Sequence, residues 1–279
     1  MLIDNIDKGW KASGVSKVDL MMLSCLIEAV RKLQREIAKS SIPVRGVTFV
    51  RNDVYELLVE GSSDRGKVTK IALDWNDPDL LREMLRRRFI RGQNNTSTEF
   101  NDIWHSVCCS HLSGTETSQY MIDRSLMRPR CLIDLFQHCK SRAINLGKDK
   151  IDEEDISWGE AQYSLELVNS LNLEIRDVYE NAEDILYGFI EQGDVVDASA
   201  VESCLLKAGI EESEVPSVLD LLLWYSFLGI YRNTGAPTYI YDVGYEMRKL
   251  KALIRNRADG DLIYAINPAF LSGLDINAE

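Results

Sequence analysis

Apolar residues near the N-terminus recur every three or four positions, a spacing typical of a helix that buries one face. Between residues 17 and 38 they are Leu20, Leu23, Ile27, Val30, Leu33 and Ile37. A short apolar segment, residues 1–3, precedes this helix, and the β-rich run 44–50 follows a Ser-Ser-Ile-Pro terminator. The pattern predicts a strand–helix–strand unit with parallel strands.

Polar residues follow both of these predicted strands. Asp4 comes directly after the first strand, and Arg51 and Asn52 come after the second. Because the carboxyl ends of parallel strands lie at the same edge of a sheet, Asp4 and Asn52 could face one ligand. A further β-like run, residues 68–73, leads into a helix over 80–90.

Arginines cluster at two places in the helical segments that follow. Arg86, Arg87 and Arg88 are consecutive, and they form either a solvated helix face, which is the favoured interpretation, or arginine-finger candidates for a phosphate at a subunit interface. Pro129 predicts the start of another helix. Arg128 and Arg130 flank that proline, where a guanidinium can bind a phosphate with two hydrogen bonds.

The last third of the chain has the pattern of a winged helix-turn-helix. Helices are predicted over 182–192, 197–208 and 215–225, and a strand at 228–231 is followed by a turn and a return strand at 238–241. A basic helix over 245–255 and a final strand over 262–266 complete the region.

Charge changes the interpretation of this region. The 279-residue chain carries 32 basic and 44 acidic residues, a net charge of −12, which disfavours general nucleic-acid coating. From residue 182 onward there are 16 acidic and 7 basic residues, a net charge of −9. Packing against a protein is therefore favoured over DNA binding, which stays open as the less favoured alternative.

Composition narrows the class of protein further. The length of 279 residues is enough for one large domain or two ordinary ones, and the hydrophobic content of 45% is that of a chain with a sizeable core. No apolar run approaches the roughly 18–20 residues of a membrane span, and the N-terminus lacks a signal-peptide pattern. Six cysteines, with Cys108 and Cys109 adjacent, do not form a disulfide framework. We expect a cytoplasmic protein with reduced thiols and no membrane partner.

Taken in order, these segments resemble the later part of a AAA+/STAND-type bacterial P-loop ATPase that carries a C-terminal winged helix. Residues 1–10 resemble its Walker B segment, and 49–53 resemble its sensor-1 strand. Residues 70–73 with the arginine-rich helix resemble the following strand and helix, and 128–130 resemble the sensor-2 arginine at the start of the lid helix. The resemblance covers residues 1 to about 165.

The resemblance implies an α/β fold followed by a mainly α part: an incomplete parallel P-loop ATPase sheet, a helical lid, and a winged helix-turn-helix. The implied domains are residues 1–95, 96–181 and 182–279. Asp4 would hold Mg²⁺ through water, and Asp7 would serve as the catalytic acid because Asn5 stands where the family has glutamate. Arg51 or Asn52 would sense the γ-phosphate of ATP, and the phosphate contacts from the lid would come from Arg128 and Arg130.

One departure from the family concerns the main nucleotide anchor. No Walker A loop precedes the Walker B-like segment. We therefore expect the C-terminal portion of a nucleotide-dependent switch, which would not turn over ATP alone. Its partners would be an N-terminal ATPase portion or separate chain, a second copy in a homo-oligomer, and a protein at the winged helix. The alternative is a degenerate ATPase fold that works as a non-catalytic winged-helix interaction or DNA-binding regulatory module.

Overall fold

The computed structural model of the chain describes residues 1–6, 16–51, 54–55, 58, 71, 73, 75–92, 99–176, 184–231, 235–255 and 262–276. These residues are mainly helical, with small sheets. The chain divides into two compact units, Met1–Ala72 and Leu73–Glu279.

The first unit contains the predicted strand–helix–strand arrangement. Strand β1 (Leu2–Ile3) is followed by helix α1 (Lys17–Lys39) and strand β2 (Val47–Thr48). The two strands pair in parallel, with Leu2 opposite Val47, so this prediction is confirmed. The β-like run 68–73 lies outside the described residues except at Ile71 and Leu73.

Local interactions explain why α1 begins at its observed residue. The Ser16 hydroxyl accepts a hydrogen bond from the Asp19 amide at 3.1 Å, and the Asp19 carboxylate accepts one from the Ser16 amide at 3.3 Å. This reciprocal pair satisfies two amides that a helix start leaves without backbone partners. Gly46, just before β2, lies so close to α1 that a Cβ there would be 2.5 Å from Cγ1 of Val30.

The second unit opens with a group of packed helices and a small hairpin. Their bounds are α2 Pro78–Gly92, α3 Phe100–Val107, β3 His111–Leu112, β4 Thr115–Glu116, α4 Thr117–Asp123, α5 Pro129–Asn145 and α6 Glu153–Arg176. The helix predicted to start at Pro129 does so, and the helix predicted over 80–90 begins two residues earlier, at Pro78. Helix α6 begins after Asp152, whose carboxylate accepts a hydrogen bond from the Asp155 amide at 3.0 Å.

An aromatic cluster fills the space between α2, α3 and α5. The Phe89, Trp104 and Phe136 rings contact one another with centroid separations of 5.4–6.2 Å. The buried indole of Trp104 donates a hydrogen bond to the Thr117 hydroxyl at 2.8 Å, so its polar nitrogen has a partner in the core.

The remainder of the second unit surrounds an antiparallel sheet. Its elements are β5 Val195–Asp197, α7 Ala198–Lys207, α8 Val215–Trp224, β6 Leu228–Ile230, α9 Met247–Arg255, β7 Ile263–Ile266 and α10 Pro268–Leu271. Strand β7 lies between β5 and β6, with Tyr264 opposite both Val196 and Ile230. The helices predicted over 197–208, 215–225 and 245–255 and the final strand are confirmed.

Two predictions in this region were wrong. The return strand expected at 238–241 is a single bridge between Thr238 and Ile230, followed by a 3-10 turn at Ile240–Val243. The Asp242 carboxylate accepts a hydrogen bond from the Tyr239 amide at 2.8 Å, which removes that amide from any strand ladder. Where a helix was expected over 182–192, the described part has a 3-10 turn at Ile185–Phe189, bounded by positive φ at Asp184 and Glu191.

Helix α6 contacts both the helical group and the region that surrounds the sheet. On one side it packs closely on α5. On the other side, the Ser164 hydroxyl accepts a hydrogen bond from the Gly273 amide at 2.8 Å. A Cβ at Gly273 would lie 2.7 Å from the Ser164 backbone, so glycine is what permits this approach. Residues on both sides of α6 therefore share one core.

Candidate functional site

The edge of the parallel strand pair holds the first group of predicted site residues. Asp4 follows β1, and it is exposed, with its carboxylate accepting a hydrogen bond from the Asn5 amide at 2.8 Å. Arg51 follows β2 and is also exposed. Because the strands are parallel, Asp4 and Arg51 emerge at the same edge of this sheet. Asp7 and Asn52 lie outside the described residues.

Arg86 and Arg87 bind a carboxylate of their own helix. Arg86 donates two hydrogen bonds to Glu83, at 2.6 and 2.9 Å, and Arg87 donates one at 2.7 Å. The hydrogen bonds from Arg86, and then those from Arg87, lower the pKa of Glu83 to about 2. Neither arginine could bind a phosphate with its full set of donors without leaving this carboxylate.

Arg88 faces a different environment from its two neighbours. It is exposed and lies at the rim of a cavity of about 470 Å³ between α2, α5 and the segment 148–151. Lys140, Lys148 and Lys150 also line this cavity. The sequence did not indicate the cavity, because Arg88 is more than fifty residues away from the three lysines along the chain.

The two arginines beside Pro129 have unlike surroundings. The Arg128 carbonyl accepts a hydrogen bond from Leu132 at 3.1 Å, and its half-buried side chain interacts with the Tyr245 hydroxyl. Arg130 is exposed in the first turn of α5. The Arg128 side chain therefore lies near Tyr245, just before α9, whereas the Arg130 side chain is in solvent.

A buried polar network ties α4 to α6, and sequence reasoning missed it. The Tyr120 hydroxyl and the Arg124 guanidinium each donate a hydrogen bond of 2.6 Å to Glu160. The Arg124 guanidinium carbon also lies 3.5 Å from the centroid of the Tyr120 ring. A charge buried with its partner in this way is satisfied, so the network positions helices and does not offer a free reactive group.

Helix α8 is partly covered by residues inserted between β6 and β7. Lys251 of α9 forms an ion pair with Asp220 of α8. The Tyr245 ring packs edge-on against Trp224 at the end of α8, with centroids 5.8 Å apart. These contacts occupy part of the surface that α8 would otherwise present to a partner.

Within the described ranges, no group of three or more histidine, cysteine, aspartate or glutamate residues is placed to hold a metal ion. Cys108 is buried, and burial raises the pKa of its thiol to about 12, so it is a packing residue rather than a thiolate ligand. No helix in the described part of the chain is long and apolar enough to cross a membrane.

The fold defines a mainly helical protein with a parallel strand pair in one unit and a helix-flanked antiparallel sheet in the other. Residues 79–172 are similar to a family described as the FunZ-associated C-terminal helical domain. The matched segment runs from the start of α2 through most of α6 and includes the cavity and the Glu160 network. No curated protein and no solved structure matches the chain.

Proposed function

We propose that this chain is the C-terminal portion of a AAA+/STAND-like P-loop ATPase and acts as a nucleotide-dependent switch that is not catalytic alone. The observation that carries the proposal is the parallel pairing of β1 and β2, which brings Asp4 and Arg51 to one sheet edge. Open α/β sheets bind ligands at that edge, and an acid and a cation there suit Mg²⁺ and a terminal phosphate.

In this proposal each site residue of the first unit has one role in nucleotide binding or hydrolysis. Asp4 holds Mg²⁺ through water, Asp7 orients the attacking water, and Arg51 and Asn52 sense the γ-phosphate. The phosphate-binding loop and its lysine come from an N-terminal ATPase portion or a separate chain. The fit of the described residues to this role rests on Asp4 and Arg51, which are both exposed.

The second unit supplies the elements that would transmit the nucleotide state. Arg128 and Arg130 are the sensor-2 candidates, and the interaction of Arg128 with Tyr245 connects the start of α5 to the region that surrounds the sheet. Arg86, Arg87 and Arg88 are arginine-finger candidates in a homo-oligomer, with Arg88 the most accessible because the other two bind Glu83.

The order of elements around the antiparallel sheet supports a winged helix as the output element. Strand β5 is followed by α7 and α8, and then by β6 and β7, with β7 between the other two strands. This order is similar to that of a winged helix-turn-helix, and in this proposal the segment between β6 and β7 is the wing. The matched family is described as a C-terminal helical domain, which supports a place downstream of another domain.

A protein is the favoured partner of this output element. In winged helices that read DNA, the second helix of the helix-turn-helix enters the major groove. Here that helix is α8, whose Asp220 binds Lys251 and whose Trp224 packs on Tyr245. Together with the net charge of −9 after residue 182, these contacts disfavour phosphate neutralisation.

The test uses the chain together with the portion that carries the phosphate-binding loop. The nucleotides upstream of the Met1 codon are searched for a frame that encodes G-x-x-x-x-G-K-[ST], and the two portions are produced together. Calorimetry should show MgATP binding to the complex and none to this chain alone. Asp4→Asn should abolish hydrolysis by the complex, whereas Glu36→Gln on the exposed face of α1 should leave it unchanged.

Two outcomes would contradict the proposal. Tight MgATP binding by this chain alone would show that it needs no second portion. Unchanged hydrolysis in the Asp4→Asn complex would remove the metal-binding role from the sheet edge.

A second function, a non-catalytic interaction module, is favoured by the internal partners of the arginines. Arg86, Arg87 and Arg128 all interact with groups of the same unit. A complex that contains the phosphate-binding loop but binds no MgATP would establish this alternative. Its winged helix would then be the functional element, and pull-down of a protein partner should be lost when α8 is disrupted.

A further inference from the structure

The cavity beside Arg88 combines a rigid apolar floor with a basic rim. Leu85, Phe136 and Ile151 form part of the floor, and all three belong to the core of the second unit. The rings of Phe89 and Phe136 meet edge-to-face at 5.4 Å, which fixes the shape of one wall. The volume of about 470 Å³ lies within the range of pockets that bind small molecules.

Three cations at the rim have no acidic partner among the residues that the structure describes. Lys148 binds Asp152 at 2.5 Å and Asp155 at 3.1 Å, so its charge is compensated. Arg88, Lys140 and Lys150 are exposed and make no ion pair within the described ranges. They come from three different elements and converge on one opening.

A cluster of cations without acidic partners is unexpected in a chain that is acidic overall. Acidic residues outnumber basic ones by 44 to 32, so an average cation has acids nearby. The cavity lining includes one acid, Asp149, between Lys148 and Lys150. The field at the opening is therefore positive above an apolar floor, which is complementary to an anion that carries an apolar body.

We propose that this cavity binds a small anionic amphiphile, with one carboxylate or phosphate head on an apolar chain or ring. The head is held at the rim by Arg88, Lys140 and Lys150, and the body lies on the floor beside Phe89. A guanidinium and ammonium groups bind either head through charge-assisted hydrogen bonds. This site belongs to the helical segment and does not depend on the proposed ATPase role.

The first experiment measures binding to the full-length chain by calorimetry with three probes. Decanoate and octyl phosphate carry the two candidate heads, and 1-octanol is a neutral comparison. Both anions should bind saturably and at least about tenfold more tightly than 1-octanol. The tighter of the two anions identifies the preferred head group.

The second experiment removes the rim charges without touching the core. Arg88→Ala with Lys140→Ala should weaken both anions by about tenfold or more and leave 1-octanol unaffected. Lys207→Ala is the control, because Lys207 is an exposed cation of the same unit, in α7, that lies outside the cavity lining and has no part in the proposed phosphate binding. It should leave binding unchanged.

A third pair of variants places a negative charge inside or outside the opening. Ile144 lines the cavity and is 60% exposed, whereas Leu146 is 58% exposed and does not line it. Ile144→Glu should repel both anions, and Leu146→Glu should not. Both positions tolerate polar residues because they are solvent-facing, and circular dichroism verifies the fold of each variant.

Three results would overturn the proposal. The first is that the folded chain binds neither anion saturably. The second is that 1-octanol binds as tightly as the anions. The third is that Lys207→Ala weakens binding as much as the double substitution does. The proposal would also be overturned if the chain bound an acidic amphipathic peptide but neither small anion. The cavity would then be part of a surface that binds a macromolecule.

Discussion

At Glu83 two guanidinium groups bind a single carboxylate from the next turn of the same helix. Arg86 supplies two donors and Arg87 supplies one, and these hydrogen bonds lower the pKa of Glu83 from its ordinary value of 4.5 to about 2. The ionised form is therefore favoured by folding. Because the Glu83 side chain is partly exposed to solvent, salt and water screen its contribution to stability.

The lowered pKa gives the pH dependence a definite sign. The contribution of Glu83 is fully present above about pH 4.5 and is lost as the pH falls toward 2. We expect Glu83→Gln to lower the Tm at pH 7, with a difference from the parent chain that shrinks toward zero near pH 2. Thermal unfolding across pH 2–7 measures this difference. Glu202→Gln on the exposed face of α7 is the control, and a constant Tm difference for Glu83→Gln would contradict the assignment.

At the scale of elements, the contact between α5 and α6 depends on a residue without a side chain. A Cβ at Gly159 of α6 would lie 2.6 Å from the amide nitrogen of Cys139 and 2.8 Å from its Cα. These are backbone atoms of α5, so they cannot rotate away. The two helices can therefore approach this closely only with glycine at position 159.

We expect Gly159→Ala to destabilise the chain by about 1–3 kcal/mol through overpacking. A loss of stability would distinguish overpacking from helix propensity, because alanine in a helix interior normally stabilises by about 0.5–1 kcal/mol relative to glycine. Ser157→Ala, on the exposed face of α6, is the matched control and should change stability little. Urea unfolding of the three proteins measures the effect. A Gly159→Ala variant that gains stability would show that the two helices separate freely.

At the scale of the whole molecule, the large hydrophobic core belongs to one unit. Among the residues that the structure describes, its buried members run from Leu81 to Ile276, and none of them belongs to the first unit. The buried residues of α1, Leu23 and Val30, are not members of that core. The second unit therefore has the interior expected of a domain that folds independently.

We expect a fragment of residues 73–279 to fold without the first unit. Its thermal unfolding should be cooperative, with a Tm within a few degrees of the main transition of the full chain, because the core is unchanged. Calorimetry and far-ultraviolet circular dichroism measure both properties. An unfolded fragment, or one with a broad non-cooperative transition, would show that residues 1–72 complete the core.

The sequence by itself determined the elements whose signals are local. The apolar period defines α1, and Pro129 defines the start of α5. The strand–helix–strand order places the polar residues that follow both strands at one edge. These follow from rules that act over a few residues or one connection. The roles of Asp4 and Arg51 in nucleotide binding stay predictions.

Only the tertiary structure decided which distant residues meet. It paired β6 along its length with β7 and left a single bridge to the segment at 238–241. It also joined Arg124 to Glu160 and brought Arg88, Lys140 and Lys150 to the lining of one cavity. None of these contacts has a local signal, because each depends on how helices and strands pack across many intervening residues. Packing selects them through the burial of apolar surface and the pairing of buried polar groups.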